Sequence, residues 1–328
     1  MYRKFMIFLE AWKNSVHRKP LILQGARQVG KTYSILEFGR THYENVAYFN
    51  FETNPKLNET FEENISPDYL IPILSHIAGQ TIVKEKTLIV FDEVQLCERA
   101  LTSLKYFCED APDYHIIVAG SLLGVAVNRA KFSFPVGKVD MKTLYPMDME
   151  EFMLALGEND LVEQIKKCFQ TDTPLPSALH DAAMQLYRQY LVVGGMPECV
   201  MQFAETKDYI LVRHTQDTIL ASYLNDMSKY NTPNKIKKIM LVYDSITVQL
   251  SRKNTRFQYK LIKKGGRASE FENAIEWLCL SGIVSQVYKV EQVKKPLENY
   301  RDIDAFKIYV SDLGLLCAKK DLAANDIL

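Results

Sequence analysis

The chain is predicted to fold as an α/β protein, a parallel sheet flanked by helices, followed by a helical segment and a smaller basic module. Three observations carry this. Leu21–Leu23, Leu88–Phe91 and Ile116–Ala119 are short, continuous apolar runs, as expected of parallel strands covered on both faces. Each run ends in glycine or polar residues, and helical periodicity fills the intervals, as crossover connections require. From about residue 150 the text turns to long helical periods, and beyond residue 231 it becomes rich in lysine and arginine.

Length and composition set the frame. The 328 residues are enough for two domains with a small third, and the expected divisions are 1–150, 151–230 and 231–328. No run approaches the roughly 18 apolar residues of a membrane span. Met1–Trp12, interrupted by Glu10, is a poor signal peptide, so the expected setting is the cytoplasm with no membrane partner. The six cysteines show no C-x-x-C spacing and read as reduced structural thiols. The six histidines are equally scattered, which leaves zinc without support. Lys plus Arg and Asp plus Glu number 40 each, so any attraction for nucleic acid must be local.

In chain order, Phe5, Phe8, Leu9 and Trp12 fall at helical spacing and predict an amphipathic lead-in helix. Next comes the stretch LILQGARQVGKT, Leu21 to Thr32. Gly25, four residues, then Gly30-Lys31-Thr32 completes the P-loop pattern between a strand and a helix. Backbone N–H groups of such a loop surround an anion. The expected nucleotide-binding residues are Gly25, Ala26, Arg27, Gln28, Val29, Gly30, Lys31, Thr32 and Tyr33, with Lys31 on the β- and γ-phosphates and the Thr32 hydroxyl on magnesium.

Asn45–Phe51 reads as a second strand, with Asn50 and Glu52 at its carboxyl end. They could position water or magnesium, but a plain turn is the simpler account. Pro55–Asn64 and Asp68–Ile77 read as surface helices. Thr87–Gln95, TLIVFDEVQ, then sets Asp92 and Glu93 at the tip of a buried strand, the Walker B arrangement. There Asp92 holds magnesium and Glu93 orients or deprotonates the attacking water. Leu101–Glu109 reads as a helix. Tyr114–Ser121 is a further strand whose terminal Ser121 stands where a hydroxyl can sense the γ-phosphate, while Gly120 is expected to let the backbone run close to it. Together these elements describe a P-loop ATPase with a catalytic glutamate. Glu93, Lys31 and Ser121 are its candidate catalytic residues, and ATP and Mg2+ its cofactors.

Val136–Leu144 alternates as a strand, and Asp148–Ala155 reads as a helix capped by Asp148 or Pro146. At this point GARQVGKT, FDEVQ, AGSLLG, FPVGKV with YPMDMEEF, and the later YLVVGGMPE resemble the prokaryotic AAA-type ATPases that carry a DUF4143 region after the ATPase core. The resemblance spans the whole chain and implies the same roles for Lys31, Thr32, Asp92, Glu93 and Ser121. It also implies an arginine where this chain has Lys138, whose ammonium lacks the bidentate fork. Arg129 is a second candidate finger. Relatives commonly continue from about Asn325–Leu328 into a region resembling PD-(D/E)xK nucleases. These 328 residues do not supply that carboxylate cluster, so nuclease activity is carried over only if a longer chain holds that region.

Residues 158–180 read as a helix and an exposed connection, and Asp181–Val193 as a helix stopped by Gly194-Gly195-Met196-Pro197. That turn resembles the lid motif of signal-transducing ATPases, which would set Pro197 against the adenine; a helix terminator without a ligand accounts for it equally well. Glu198–Met227 is expected to continue as a helical lid. Between Pro233 and Arg267 stand ten lysines or arginines against Asp244 alone. With helices at 236–250 and 268–280, a short element at 259–262, and strands at 284–290 and 305–310, this reads as a basic winged helix, a candidate DNA-binding module through residues 233–267 or equally a packing module with a solvated basic face.

The resulting expectation is a magnesium-dependent ATP hydrolase that acts as a nucleotide-driven switch. Adenine is preferred because no N-K-x-D motif occurs. A nucleotide-gated DNA or protein adaptor with negligible turnover is the alternative. A small-molecule kinase is a further rival, disfavoured by the Glu directly after Asp92. Self-association stays open, since no single residue establishes it.

Overall fold

Five parallel strands, β1 (Leu21–Gln24), β2 (Asn45–Asn50), β3 (Thr87–Asp92), β4 (His115–Ala119) and β5 (Asp140–Thr143), form one sheet in the order β2-β3-β4-β1-β5. The structure, a computed structural model, describes residues 1–121, 123–127, 134–229, 231–252 and 256–328. The expected contributions of Arg129 and Lys253 lie outside the described residues. The chain divides into two compact units, Tyr2–Tyr145 and Pro146–Leu328. Among the described residues no helix is long and apolar enough to cross a membrane.

In the first unit the helices are α1 (Phe5–Lys13), α2 (Lys31–His42), α3 (Lys56–Glu63), α4 (Pro67–Ala78), α5 (Glu98–Asp110) and the short α6 (Leu123–Val127). α1 buries Phe5, Leu9 and Trp12, the face its spacing predicts. β3 and β4 are buried at every position, because they lie inside the sheet with chain on both faces. Phe91 anchors β3 in an aromatic cluster, its ring 5.6, 5.8 and 6.0 Å from those of Phe61, Phe51 and Phe49. Edge-to-face contacts of this kind add roughly 0.5–1.5 kcal/mol each beyond burial. That packing seats the next residue, Asp92, at the sheet's carboxyl edge.

Strand order does the rest of the positioning. The chain leaves β1, crosses two strands to β2, then steps back through β3 to β4 beside β1 before passing to β5 on the far side. The reversal at β1 is a topological switch point, where open parallel sheets present their ligand crevice. The segment following β4 therefore lies between the one following β1 and the one following β3. β5 is shorter than the expected strand: Val136 is 81% exposed, and the turn at Pro135–Lys138 precedes Asp140.

The second unit is helical, with one small sheet. Its elements are α7 (Met149–Ala155), α8 (Asn159–Gln170), α9 (Ser177–Val193), α10 (Pro197–Thr206), α11 (Tyr209–Lys229), α12 (Pro233–Ser251), α13 (Ala268–Leu280), an antiparallel pair β6 (Val284–Val290) and β7 (Arg301–Val310), and α14 (Leu313–Lys319). Asp148, not Pro146, caps α7: its carboxylate accepts the Glu151 N–H at 2.9 Å, and Glu151 returns the bond to Asp148 N at 3.1 Å. The stretch expected as a helical lid from Glu198 to Met227 is two helices, parted at Lys207, which takes a left-handed turn at φ +55°. Asp208 then starts α11 by accepting the N–H of Ile210 at 2.7 Å. β7 begins at Arg301, four residues before the expected strand, and its first two residues pair with β6 beyond a register shift between Tyr288 and Lys289. All six cysteines are free thiols.

Candidate functional site

The loop between β1 and α2 is built by two glycines with different tasks. Gly25 sits at φ +145°, and a Cβ there would lie 2.3 Å from the carbonyl oxygen of Leu144. Gly30 turns the chain into α2 in the left-handed region at φ +88°. Between them Ala26 and Val29 are buried, Arg27 and Gln28 are exposed, and Gln28 also takes a positive φ of +64°. Lys31, only 7% exposed, folds its ammonium back to donate to the carbonyls of Gly25 and Ala26, both at 2.9 Å. Tyr33, one residue past Thr32, is 54% exposed.

Opposite the loop stands the tip of β3. Thr32 Oγ1 donates to Asp92 Oδ2 at 2.8 Å, so the strand tip and the first turn of α2 meet. Asp92, 5% exposed, also receives Tyr48 Oη at 2.8 Å, and its Oδ1 accepts the N–H of Glu93 at 3.0 Å. Burial, with the Asp92 carboxylate beside it, pushes the Tyr48 phenol up to about 12, so it remains a donor. Glu93 takes the left-handed conformation at φ +52°, uncommon for a residue with a side chain and a sign of local strain. Its carboxylate accepts Ser121 Oγ at 3.4 Å on one oxygen and the Gln95 amide on the other.

The structure thus brings Lys31, Thr32, Asp92, Glu93 and Ser121 to one edge of the sheet. Thr32 and Asp92 supply a hydroxyl and a carboxylate, hard oxygen donors of the kind magnesium takes. Among the described residues no group of three or more His, Cys, Asp or Glu converges as a protein-only metal cage. Magnesium held by one carboxylate, a hydroxyl and phosphate oxygens needs no such cage. Asn50 lies opposite Asp92 in the β2–β3 register, but its side chain closes a turn, accepting from Glu52 N at 2.8 Å and Thr53 N at 3.0 Å. The plain turn is therefore the right account of Asn50. Lys138 is engaged with Glu109 at 2.8 Å.

Three residues at this site escaped the sequence reading. Tyr48 is the donor to Asp92 described above, and its signal was a tyrosine two residues before the strand end. Gln95 closes the FDEVQ motif without a role of its own in the sequence reading. Arg3 is 3% exposed and spans the loop from below, Nη1 donating to Val29 O at 3.0 Å and Nη2 to Tyr145 O at 2.7 Å. A charged residue opening an amphipathic helix reads as solvent-facing, so nothing marked it. Gly120 has a reason within the protein as well: a Cβ there would lie 2.0 Å from Gln95 Oε1, so it makes room for a side chain.

Pro197 belongs to the second unit, where it is the first residue of α10. The turn before it is fixed inside that unit. A Cβ on Gly195 would lie 1.9 Å from the Met147 carbonyl oxygen, and one on Gly194 would lie 2.3 Å from Asp312 Oδ1. Gly195 N donates to Asp312 Oδ2 at 2.6 Å, Tyr190 Oη to Met147 O at 2.8 Å, and Gln216 Nε2 to the carbonyls of Val192 and Val193 at 2.9 and 3.0 Å. Asp312 also caps α14 through Leu315 N at 2.9 Å. Burial pushes its carboxyl up to about 6, against the pull of these backbone donors.

Residues 17–153 match the family model described as an AAA domain. A solved structure of similar fold is the Walker-type ATPase PABY2304 of Pyrococcus abyssi, similar at 13% identity with a TM-score of 0.58 over 96% of this chain and 94% of that one. The fold is that of an AAA-type P-loop ATPase. The ORC2 protein of Aeropyrum pernix, in ADPNP and ADP complexes, is a more distant likeness at 11% identity and a TM-score of 0.45, covering 98% of this chain and 94% of that one. Residues 184–326 match a domain of unknown function, DUF8612, where the DUF4143 region was expected. No curated protein matches the chain. An AAA-type P-loop ATPase fold supports nucleotide binding, and the five residues gathered at its sheet edge are those the sequence nominated.

Proposed function

We propose that the chain binds ATP with Mg2+ at the carboxyl edge of the five-stranded sheet and hydrolyses it, as a switch whose second unit follows the nucleotide state. The observation that carries this is the joined set at that edge: Thr32 on Asp92 at 2.8 Å, with Glu93 next in sequence and Ser121 on its carboxylate at 3.4 Å. Gly25 to Tyr33 wrap the phosphates with backbone N–H groups, and Lys31 turns from its two loop carbonyls to the β- and γ-phosphates. Thr32 and Asp92 hold magnesium, which when bound offsets charge on the phosphate oxygens. Glu93 orients the attacking water and accepts its proton. Ser121, between the loop and Glu93 by strand order, registers the γ-phosphate. The setting is cytoplasmic, with the six thiols reduced.

The test is phosphate release with ATP and magnesium, wild type beside Glu93→Gln. Turnover is expected to fall by about two to four orders of magnitude in the variant while ATP affinity is kept. Equal turnover would remove Glu93 from the mechanism, and no turnover in either would favour the gated adaptor.

A DNA association through the basic segment is the finer part of this reading. Lys237, Lys238, Arg252, Arg256, Lys260, Lys263, Lys264 and Arg267 are exposed, and Arg252 and Arg256 line one pocket with Lys307 of β7. α13, in the place of a recognition helix, exposes Glu272 and Glu276. Its acidic face suits a phosphate-lined groove poorly, so contact through the backbone phosphates at Arg252, Arg256 and Lys307 is the form the reading takes. Duplex DNA added to the phosphate-release assay checks it. Stimulation that weakens steeply with salt would support a backbone contact, and no effect at low salt would leave the segment a solvated face.

A further inference from the structure

We infer that Gln95 is a positioning residue for Glu93, holding the glutamate carboxylate in place for its work on water; this rests on the hydrolysis proposed above. The strand tip gives the geometry. Glu93 turns left-handed at φ +52°, and Val94–Leu96 follow as a single tight helical turn, which brings the side chain at 95 back over the one at 93. Gln95 Nε2 donates to Glu93 Oε2, and Ser121 Oγ reaches Oε1 at 3.4 Å. A carboxylate held at both oxygens has its plane fixed, yet each oxygen keeps a lone pair for water.

The amide of Gln95 is itself held in one orientation. Among the described residues its Oε1 is buried without a hydrogen-bond partner, an arrangement that costs free energy and needs a reason. Reversing the amide would satisfy nothing, since it would set that oxygen against the Glu93 carboxylate. The oxygen lies instead over Gly120, where a Cβ would come within 2.0 Å of it. The glycine after β4 thus makes room for the amide, and the following residue, Ser121, completes the hold on Glu93. The unsatisfied oxygen is accounted for by what the other end of the amide does.

Two variants separate this from plain packing. Gln95→Leu keeps the bulk and removes the donor. Gly120→Ala keeps both side chains and displaces only the flexible end of Gln95, so the fold should survive. Each is expected to lower kcat for phosphate release by about 10- to 100-fold. ATP affinity, read directly with a fluorescent ATP analogue, should stay within about 2-fold, because no phosphate ligand is touched. In a Gln95→Leu background, Gly120→Ala should cost nothing further.

A second measurement needs no turnover. In nucleotide-free protein, the melting-temperature losses of Glu93→Ala and Gln95→Ala should fail to add in the double variant, as expected of directly bonded partners. Wild-type kcat in Gln95→Leu, or strictly additive melting losses, would overturn the assignment while leaving hydrolysis standing. Absence of phosphate release from the wild type would instead bring down the hydrolysis reading, and this assignment with it.

Discussion

The chain contains two glycine turns that look alike as text: Gly25 to Thr32 after β1, and Gly194 to Pro197 after α9. Each places two glycines before the start of a helix, and each uses a glycine for close approach, Gly25 against Leu144 O and Gly195 against Met147 O. They part in their polar groups. In the first, a cation, two hydroxyls and two carboxylates converge from the ends of β1, β3 and β4. In the second, the polar side chains that reach the turn are spent on the chain itself, Asp312 on Gly195 and Leu315, Tyr190 on Met147, Gln216 on Val192 and Val193. Glycine spacing therefore marks where backbone must pack against backbone in both turns, while the polar groups gathered around the turn decide whether any remain to meet a ligand.

The largest effect should come from breaking the second turn. Gly195→Ala would place a Cβ 1.9 Å from a backbone oxygen, with no flexible side chain to give way. A loss above about 4 kcal/mol is expected, read as collapse of the thermal transition of residues 146–328. A variant as stable as wild type would end the packing account of this turn. The first turn should break in function: Lys31→Ala is expected to weaken ATP binding by about 1,000-fold, roughly 4 kcal/mol, measured by calorimetry. Retained affinity would mean that the loop's backbone alone holds the phosphates.

This contrast also explains what could be read in advance. The strands β1, β3 and β4 were legible because a parallel sheet leaves continuous apolar runs, and Lys31, Thr32, Asp92 and Glu93 because they stand at fixed offsets from those runs. Ser121 followed from strand order alone. Arg3, Tyr48 and Gln95 were not legible, since each acts through a partner fixed only by the fold: Arg3 reaches Tyr145, 142 residues away, and Tyr48 reaches Asp92 across a strand pair. The Gly194–Gly195 turn was seen, but its cause lies at Met147 and Asp312, which no local pattern connects to it. The break at Lys207 was missed because one residue out of helical geometry leaves apolar periodicity nearly intact.

Arg3 offers a way to sharpen the account of the first turn. Its guanidinium satisfies the carbonyls of Val29 and Tyr145, so it braces the P-loop without facing a ligand. Arg3→Ala leaves both oxygens unpaired and should cost about 3–4 kcal/mol, with ATP affinity falling less than in Lys31→Ala. Arg3→Lys should recover only part of this, since an ammonium lacks the two separate nitrogens with which the guanidinium reaches Val29 O and Tyr145 O. Equal melting temperatures for Arg3→Ala and wild type would show that the loop needs no brace.

The smallest effect belongs to Asp312 and depends on pH. Its folded carboxyl sits near 6, above the ordinary 3.8, because burial penalises the charge. Between about pH 4 and 6 the native state holds a proton that the unfolded chain has released. The contribution of this group to stability is therefore complete below about pH 4, falls as pH rises through 6, and is constant beyond. Asp312→Asn cannot titrate. Wild type should thus lose ground to Asp312→Asn by up to about 3 kcal/mol as urea unfolding is followed from pH 4 to pH 7, because a shift of about two units corresponds to that much. A difference that stays flat across the window would mean that the backbone donors from Gly195, Gly314 and Leu315 outweigh burial and keep Asp312 charged throughout. In that case the second turn would be held by a charge.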